Sequence, residues 1–120
     1  MTQQMLYPQE VEVFYLIPAI RKELAFQLKD QGKEQRQIAE LLGITEAAIS
    51  QYFSKKRAAE IKFGSEILKE IRLSSGRIKN KYDSIKEVQR ILKIINKTRE
   101  ICRIHKKFSD VEKNCDICFK

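Results

Sequence analysis

Four side chains of metal-binding type lie near the end of the chain: Cys102, His105, Cys115 and Cys118. Two residues separate Cys115 from Cys118, a gap that lets both thiolates face one ion, and the same gap separates Cys102 from His105. The set suits a tetrahedral zinc ion; alternatively, the three thiolates hold an iron–sulfur cluster, with His105 or an external ligand at the last iron. An odd cysteine number argues against a disulfide framework. We therefore expect a metal centre of one of these kinds.

Simpler interpretations of the same residues remain open. Cys102 lies among apolar residues and suits a buried small side chain. His105 is flanked by basic residues, as surface histidines often are. The Cys115–Cys118 pair could also be a redox dithiol without a metal.

A second group of side chains has the chemistry to recognise DNA bases: Thr45, Glu46, Ala47, Ser50 and Gln51. Glutamine pairs with adenine, glutamate accepts a hydrogen bond from cytosine, and alanine packs on the thymine methyl group. Polar and basic residues nearby suit the phosphate backbone: Arg36, Gln37, Tyr52, Lys55, Lys56 and Arg57. The alternatives are core packing for Tyr52 and a role in solubility for each lysine.

The elements that must position this second group are encoded in residues 35–54, which have the pattern of two short helices and a tight turn. Gly43 lies at the turn, where a residue without Cβ takes a positive φ at little cost. Thr45 is placed to cap the second helix, and Ala39 is small where the helices cross. The apolar residues recur at helical spacing, namely Ile38, Leu41, Leu42, Ile49 and Phe53. The pattern predicts a helix-turn-helix, which presents a short helix to the major groove, rather than a plain helical hairpin.

Helical patterns also flank this motif. Residues 8–15 alternate as a strand does, yet Pro8 suits a first helical turn, and we favour a short helix. Pro18 is expected to start a new helix that ends at Gly32. Ser65 is placed to cap another, broken at residues 74–76. The last helix is predicted to begin at Ser84, which forms a capping-box pattern with Glu87.

The last helix carries a wide apolar stripe, made of Ile85, Val88, Ile91, Leu92, Ile94, Ile95, Ile101 and Cys102. Such a stripe needs a large partner surface. It could pack on the core of its own chain, but we favour a homodimer interface, because helix-turn-helix proteins usually read two half-sites with two copies.

Charge and composition fit a DNA-binding protein. The net charge is +8, and residues 61–120 carry the whole excess, with 16 basic and eight acidic side chains. A basic chain suits a polyanion, since neutralised phosphates release counterions. No apolar run is long enough to span a bilayer, and no secretory signal is visible, so no membrane partner and a cytoplasmic location are expected. A single histidine and the lack of a Gly-rich phosphate loop argue against an enzyme.

Residues 18–25 and 38–52, together with residues 101–105 and 115–118, resemble a family of small archaeal predicted transcriptional regulators with an XRE-type helix-turn-helix. The resemblance implies a compact five-helix DNA-binding domain, a dimer and a cysteine-bearing C-terminal segment. The chain departs from the pattern in two places. Similar proteins often have Leu-Ser where this chain has Lys33-Glu34. Many of them also carry further cysteines near residues 7–10 and 92–95, where this chain has none, which argues against a four-cysteine site.

These observations predict an all-α protein with a lambda-repressor-like helix-turn-helix domain in residues 1–63, a linker and dimerisation helix in residues 64–101, and a cysteine-bearing tail in residues 102–120. The expected function is a homodimeric, sequence-specific regulator of transcription that binds double-stranded DNA and senses redox, iron or sulfur status through its tail. The alternative is a protein-interaction adaptor or antitoxin-like factor with a zinc-stapled tail.

Overall fold

A computed structural model describes residues 7–54 and 61–98, and every regular element in these ranges is helical, which confirms the predicted all-α class. The α-helices are α1 (Pro8–Val11), α2 (Ile17–Asp30), α3 (Gln35–Leu42), α4 (Glu46–Phe53), α5 (Ser65–Ser75) and α6 (Lys81–Lys97), and a π-helical segment, Glu12–Leu16, joins α1 to α2.

The helix predicted near Pro8 is present, but Pro18 does not start a separate helix. The helical path runs from Pro8 through the π-helical segment into α2 without leaving helical backbone angles, and Leu16 before α2 is itself helical. Pro18 occupies the first turn of α2, directly after the π-helical segment. Gly32 follows the end of α2 with φ of 90°, as predicted for a stop.

One apolar core unites the described helices. Val11, Leu24, Ile49, Ile71 and Ile95, from α1, α2, α4, α5 and α6, are each fully buried within it. The helices before and after residue 63 therefore pack into the same core: α5 packs on α2 and α6, and α6 also packs on α3 of the predicted DNA-binding motif.

Most of the apolar stripe on α6 faces this core. Ile91, Leu92 and Ile95 are buried, and Val88 and Ile94 pack against the core at its edge. Ile85, by contrast, is 61% exposed, and Tyr82 on the preceding turn is 69% exposed. Between Ile85 and Ile95 the stripe thus serves mainly intramolecular packing, and the part of it left at the described surface lies at the start of α6. Ile101 and Cys102 lie outside the described residues.

Two helix starts differ from the predicted ones. α5 is capped by Gly64, and Ser65 is its first helical residue. α6 begins at Lys81, because the side chain of Asn80 accepts a hydrogen bond of 3.0 Å from the N–H of Asp83. The capping box predicted for Ser84 is therefore wrong: Ser84 lies inside the helix and its hydroxyl donates to the carbonyl of Lys81.

Glu87, assigned to that capping box, instead joins α6 to α5. Glu87 is 4% exposed, and its carboxylate accepts hydrogen bonds from Ser74 at 2.8 Å and from Arg90 at 3.2 Å. Arg90 also reaches Glu70 at 2.6 Å. Burial raises the pKa of Glu87, but the bonds from Ser74 and Arg90 and the charges of Arg90 and Arg77 outweigh it, so the pKa stays below its ordinary value.

Candidate nucleic-acid interface

The turn between α3 and α4 has the predicted geometry. Gly43 takes φ of 67° and ψ of 33°, the left-handed conformation that favours glycine. The N–H of the next residue, Ile44, donates to the carbonyl of Ala39 at 3.0 Å. The chain then turns into α4, where the hydroxyl of Thr45 accepts a hydrogen bond of 3.1 Å from the N–H of Ala48. The glycine turn and the threonine cap are both confirmed.

The inner sides of the two helices are held by the core. Ile38, Ala39 and Leu42 of α3 are buried, as are Ala48 and Ile49 of α4. Phe53, at the end of α4, lies against α2: its ring centroid is 5.2 Å from that of Phe26, and the ammonium of Lys29 sits 4.6 Å from the Phe53 ring. Packing on several sides fixes the orientation of a helix that has only eight residues.

The outer face of α4 carries the side chains predicted to read bases. Thr45, Glu46, Ala47, Ser50 and Gln51 are all exposed, and they occupy the first two turns of the helix with its cap. None of these five side chains belongs to the described core, although Thr45 also caps α4. This face can donate and accept hydrogen bonds and offers the methyl groups of Thr45 and Ala47, which is the chemistry that a major-groove surface requires.

The start of α3 contains two of the predicted phosphate contacts, Arg36 and Gln37, and both are exposed. Gln37 has an additional role, because its side-chain oxygen accepts a hydrogen bond of 3.0 Å from the N–H of Glu34, the residue that caps α3. The Glu34 and Gln37 pair therefore caps α3 without a hydroxyl side chain.

Tyr52 is buried, whereas the predicted phosphate contact requires an exposed side chain. Its side chain is 2% exposed and belongs to the core cluster. On α4, position 52 lies three residues after Ile49, on the inner face, so helical periodicity turns the ring away from the surface. The described structure therefore assigns Tyr52 to packing, the alternative interpretation of this residue.

Gln35 is a further residue of this interface that was not among the predicted site residues. Its side-chain amide donates two hydrogen bonds across the motif, to the carbonyl of Glu46 at 3.0 Å and to the hydroxyl of Ser50 at 2.6 Å. The sequence gives only a weak indication of this role, namely a long amide side chain at the first position of α3. Its partners lie 11 and 15 residues away along the chain, and only the crossing of the two helices brings them together.

The remaining predicted site residues, Lys55, Lys56, Arg57, Cys102, His105, Cys115 and Cys118, lie outside the described residues. Within residues 7–54 and 61–98, no group of three or more His, Cys, Asp or Glu side chains is placed to share a metal ion. A cleft between α2, α3 and α6, lined by Ile17, Arg21 and Val88 among others, has a volume of about 130 Å³. It is small beside the roughly 300–1,000 Å³ of typical small-molecule sites.

Comparison with known proteins agrees with this geometry. A protein-family model described as helix-turn-helix matches residues 24–78, which run from within α2 through α5 to Ile78. No curated protein and no solved structure matched the chain significantly. In the described part of the chain, no helix is both long and apolar enough to cross a bilayer. Residues 24–78 therefore form a helix-turn-helix domain of the XRE type, and such a domain indicates a role in DNA binding and transcription regulation.

Proposed function

We propose that this protein is a sequence-specific DNA-binding regulator of transcription that acts as a homodimer. One observation carries the proposal: α4 is packed against the core on one side and exposes Thr45, Glu46, Ala47, Ser50 and Gln51 on the other. A rigid helix with a polar outer face is the arrangement by which helix-turn-helix domains read base edges. Exposed Arg36 and Gln37 flank this helix and are assigned to phosphates, as are Lys55, Lys56 and Arg57 from the chain that follows it.

The proposed dimer uses the start of α6. Tyr82 and Ile85 lie three positions apart on α6, so they project from the same side of the helix, and both are more than half exposed. Ile85 also helps to line the cleft between α2, α3 and α6. A second copy packed here would remove two large apolar side chains from water and would supply the second recognition helix that a two-half-site operator requires.

The tail is proposed to hold a metal centre through Cys102, Cys115 and Cys118, with His105 as the fourth candidate ligand. Thiolates and imidazole suit both zinc and iron–sulfur clusters. Zinc would serve to staple the tail, whereas a cluster would supply sensitivity to oxygen, iron or sulfur status. Either group would depend on the same thiolates, so replacement of one of them tests the centre itself.

The DNA-binding proposal is tested by selecting bound sequences from a random duplex pool with the purified full-length chain. Gln51→Ala and Lys56→Ala are then compared on the selected site. Loss of a base contact at Gln51 is expected to cost about 1–3 kcal/mol and to relax the preference at one base pair. Lys56→Ala is expected to weaken all sequences alike and to flatten the dependence of affinity on salt.

Gln9→Ala provides the matched control, since Gln9 is an exposed glutamine on α1, outside the helix-turn-helix domain. It should leave both affinity and preference unchanged. Selection that enriches no sequence, together with a stable complex with another protein on pull-down, would contradict the proposal and favour the adaptor or antitoxin-like alternative.

The metal centre is tested by anaerobic purification, an absorption spectrum and analysis for iron, sulfide and zinc. Broad visible absorption that disappears in Cys115→Ser would identify a cluster-dependent regulator. Zinc lost in the same variant would identify a structural staple. A protein free of iron, sulfide and zinc after this purification would overturn the proposed centre, while the DNA-binding proposal would stand on its own selection experiment.

A further inference from the structure

Two large apolar side chains stand exposed at the N-terminal end of the molecule. Val13 is 58% exposed and Phe14 is 57% exposed, and both lie in the π-helical segment that precedes α2. Their neighbours Val11 and Leu16 are fully buried, so the segment is held firmly on the core while this pair faces outwards. π-Helical turns are rare and are frequently found at functional positions. An apolar pair presented on such a segment is a candidate binding surface.

The exposed pair lies near the end of α6. Glu12, the residue before Val13, accepts a hydrogen bond of 3.0 Å from the side-chain amide of Asn96. Asn96 is in the last turn of α6, and the same amide also donates to the carbonyl of Leu92 at 2.9 Å. The chain therefore leaves α6 beside the segment that carries Val13 and Phe14, and residues that follow position 98 start within a few residues' reach of them.

The two segments are complementary in charge and in apolar content. Residues 7–17 contain two glutamates, Glu10 and Glu12, and no lysine or arginine, whereas residues 99–108 contain four basic residues and one acidic residue. The later segment also has three large apolar residues spaced three and four positions apart, Ile101, Ile104 and Phe108. It thus offers apolar side chains for Val13 and Phe14 and basic side chains for the two glutamates.

We propose that residues 101–108 bind over Val13 and Phe14 of the same chain. A segment that starts next to its binding surface has a high effective concentration there, which favours it over a separate partner. The contact would place Cys102 and His105 beside the N-terminal helices, so that the state of the tail cysteines and the position of these helices would depend on each other. This inference does not rest on the DNA-binding proposal.

The test measures disulfide formation between position 14 and Cys102. In a full-length chain with Cys115→Ser and Cys118→Ser, Cys102 is the single remaining native cysteine. Phe14→Cys is added, and the protein is incubated with oxidised glutathione, which accepts the two electrons and two protons released by the thiols. Peptide mapping by mass spectrometry follows the rate at which the intramolecular disulfide forms.

Ile85→Cys in the same background is the matched control, because Ile85 is exposed to a similar degree, at 61%, but lies near the start of α6. The 13 residues from there to the end of α6 span about 20 Å. We expect the intramolecular disulfide to form at least tenfold faster from position 14 than from position 85. The ratio of the two rates should decrease in high salt, because salt screens the attraction between the basic and acidic side chains.

Equal rates from positions 14 and 85 would overturn the proposal. So would disulfide-linked dimers as the main product from position 14 at low protein concentration, since these would identify a second copy as the occupant. Should Phe14→Cys fail to melt cooperatively, Val13→Cys provides the same measurement from the neighbouring exposed position.

Discussion

The side-chain amide of Gln35 and the hydroxyl of Ser50 are joined by a hydrogen bond of 2.6 Å that links the first turn of α3 to the outer face of α4. The same amide also donates to the carbonyl of Glu46. Gln35 therefore holds two points of the helix that we assign to base recognition, while Ser50 keeps its own hydroxyl proton available for a partner. The contact makes Gln35 a positioning residue for the proposed interface.

Replacing Gln35 with alanine is expected to reduce affinity for the selected DNA site without unfolding the domain. The bonds are exposed, so their net worth is about 0.5–1.5 kcal/mol. If Gln35 acts through Ser50, then Gln35→Ala and Ser50→Ala should be non-additive in a double-mutant cycle of binding free energies, with a coupling of at least about 0.5 kcal/mol. Additive effects would mean that Gln35 acts independently of Ser50.

Gly43 is expected to be sensitive to substitution for a backbone reason alone. A Cβ added there would meet no atom within 4 Å, but φ is 67°. Gly43→Ala should lower the free energy of unfolding by about 1–2 kcal/mol, the cost of the left-handed conformation for a residue with a side chain. Gly76→Ala is the control in thermal melts: its backbone is right-handed helical, so alanine there should be neutral or stabilising by about 0.4–1 kcal/mol. Equal losses at both glycines would contradict this account.

Glu87 predicts a dependence of stability on pH. Since its folded-state pKa lies below the ordinary value of 4.5, the ionised carboxylate stabilises the folded protein above that pH, and the contribution is lost as pH falls through the folded-state pKa. Glu87→Gln should therefore lower the free energy of unfolding by about 1–3 kcal/mol at neutral pH, and the difference should shrink in acid.

Urea titrations from neutral pH down to about pH 3 measure this difference at each pH. Glu40→Gln is a suitable control, because Glu40 is exposed on α3 and such substitutions usually change stability by less than about 0.5 kcal/mol. A Glu87→Gln deficit that stays constant over the whole range would show that the carboxylate charge is not its source.

Ile85 tests the proposed dimer. Because it is exposed on α6, Ile85→Lys should leave the melting temperature of the isolated subunit nearly unchanged while it shifts the mass in sedimentation equilibrium towards the monomer. Leu73→Lys introduces the same charge at another exposed apolar position, on α5, and should leave the mass unchanged. A dimer that survives Ile85→Lys would place its interface on another surface.

The helix-turn-helix was predictable from the sequence because its determinants are local. Gly43 at the turn, Thr45 at the cap and apolar residues at helical spacing each act within a few residues of their own position, and the structure confirms all of them. The exposed positions of α4 follow from the same periodicity. Assigning Tyr52 was harder, because an amphipathic ring at the edge of the apolar face suits either side of a helix.

Only the tertiary structure decided the features that depend on distant partners. Glu87 pairs with Ser74 of α5 instead of with its own helix end, and the cap of α6 is formed by the local pair of Asn80 and Asp83. A serine followed three residues later by glutamate fits a capping box equally well in either case, and packing against α5 decides between them. The sequence by itself determined which residues form the motif, through local backbone preferences and periodicity, whereas packing against other helices determined which surfaces remained exposed to bind anything else.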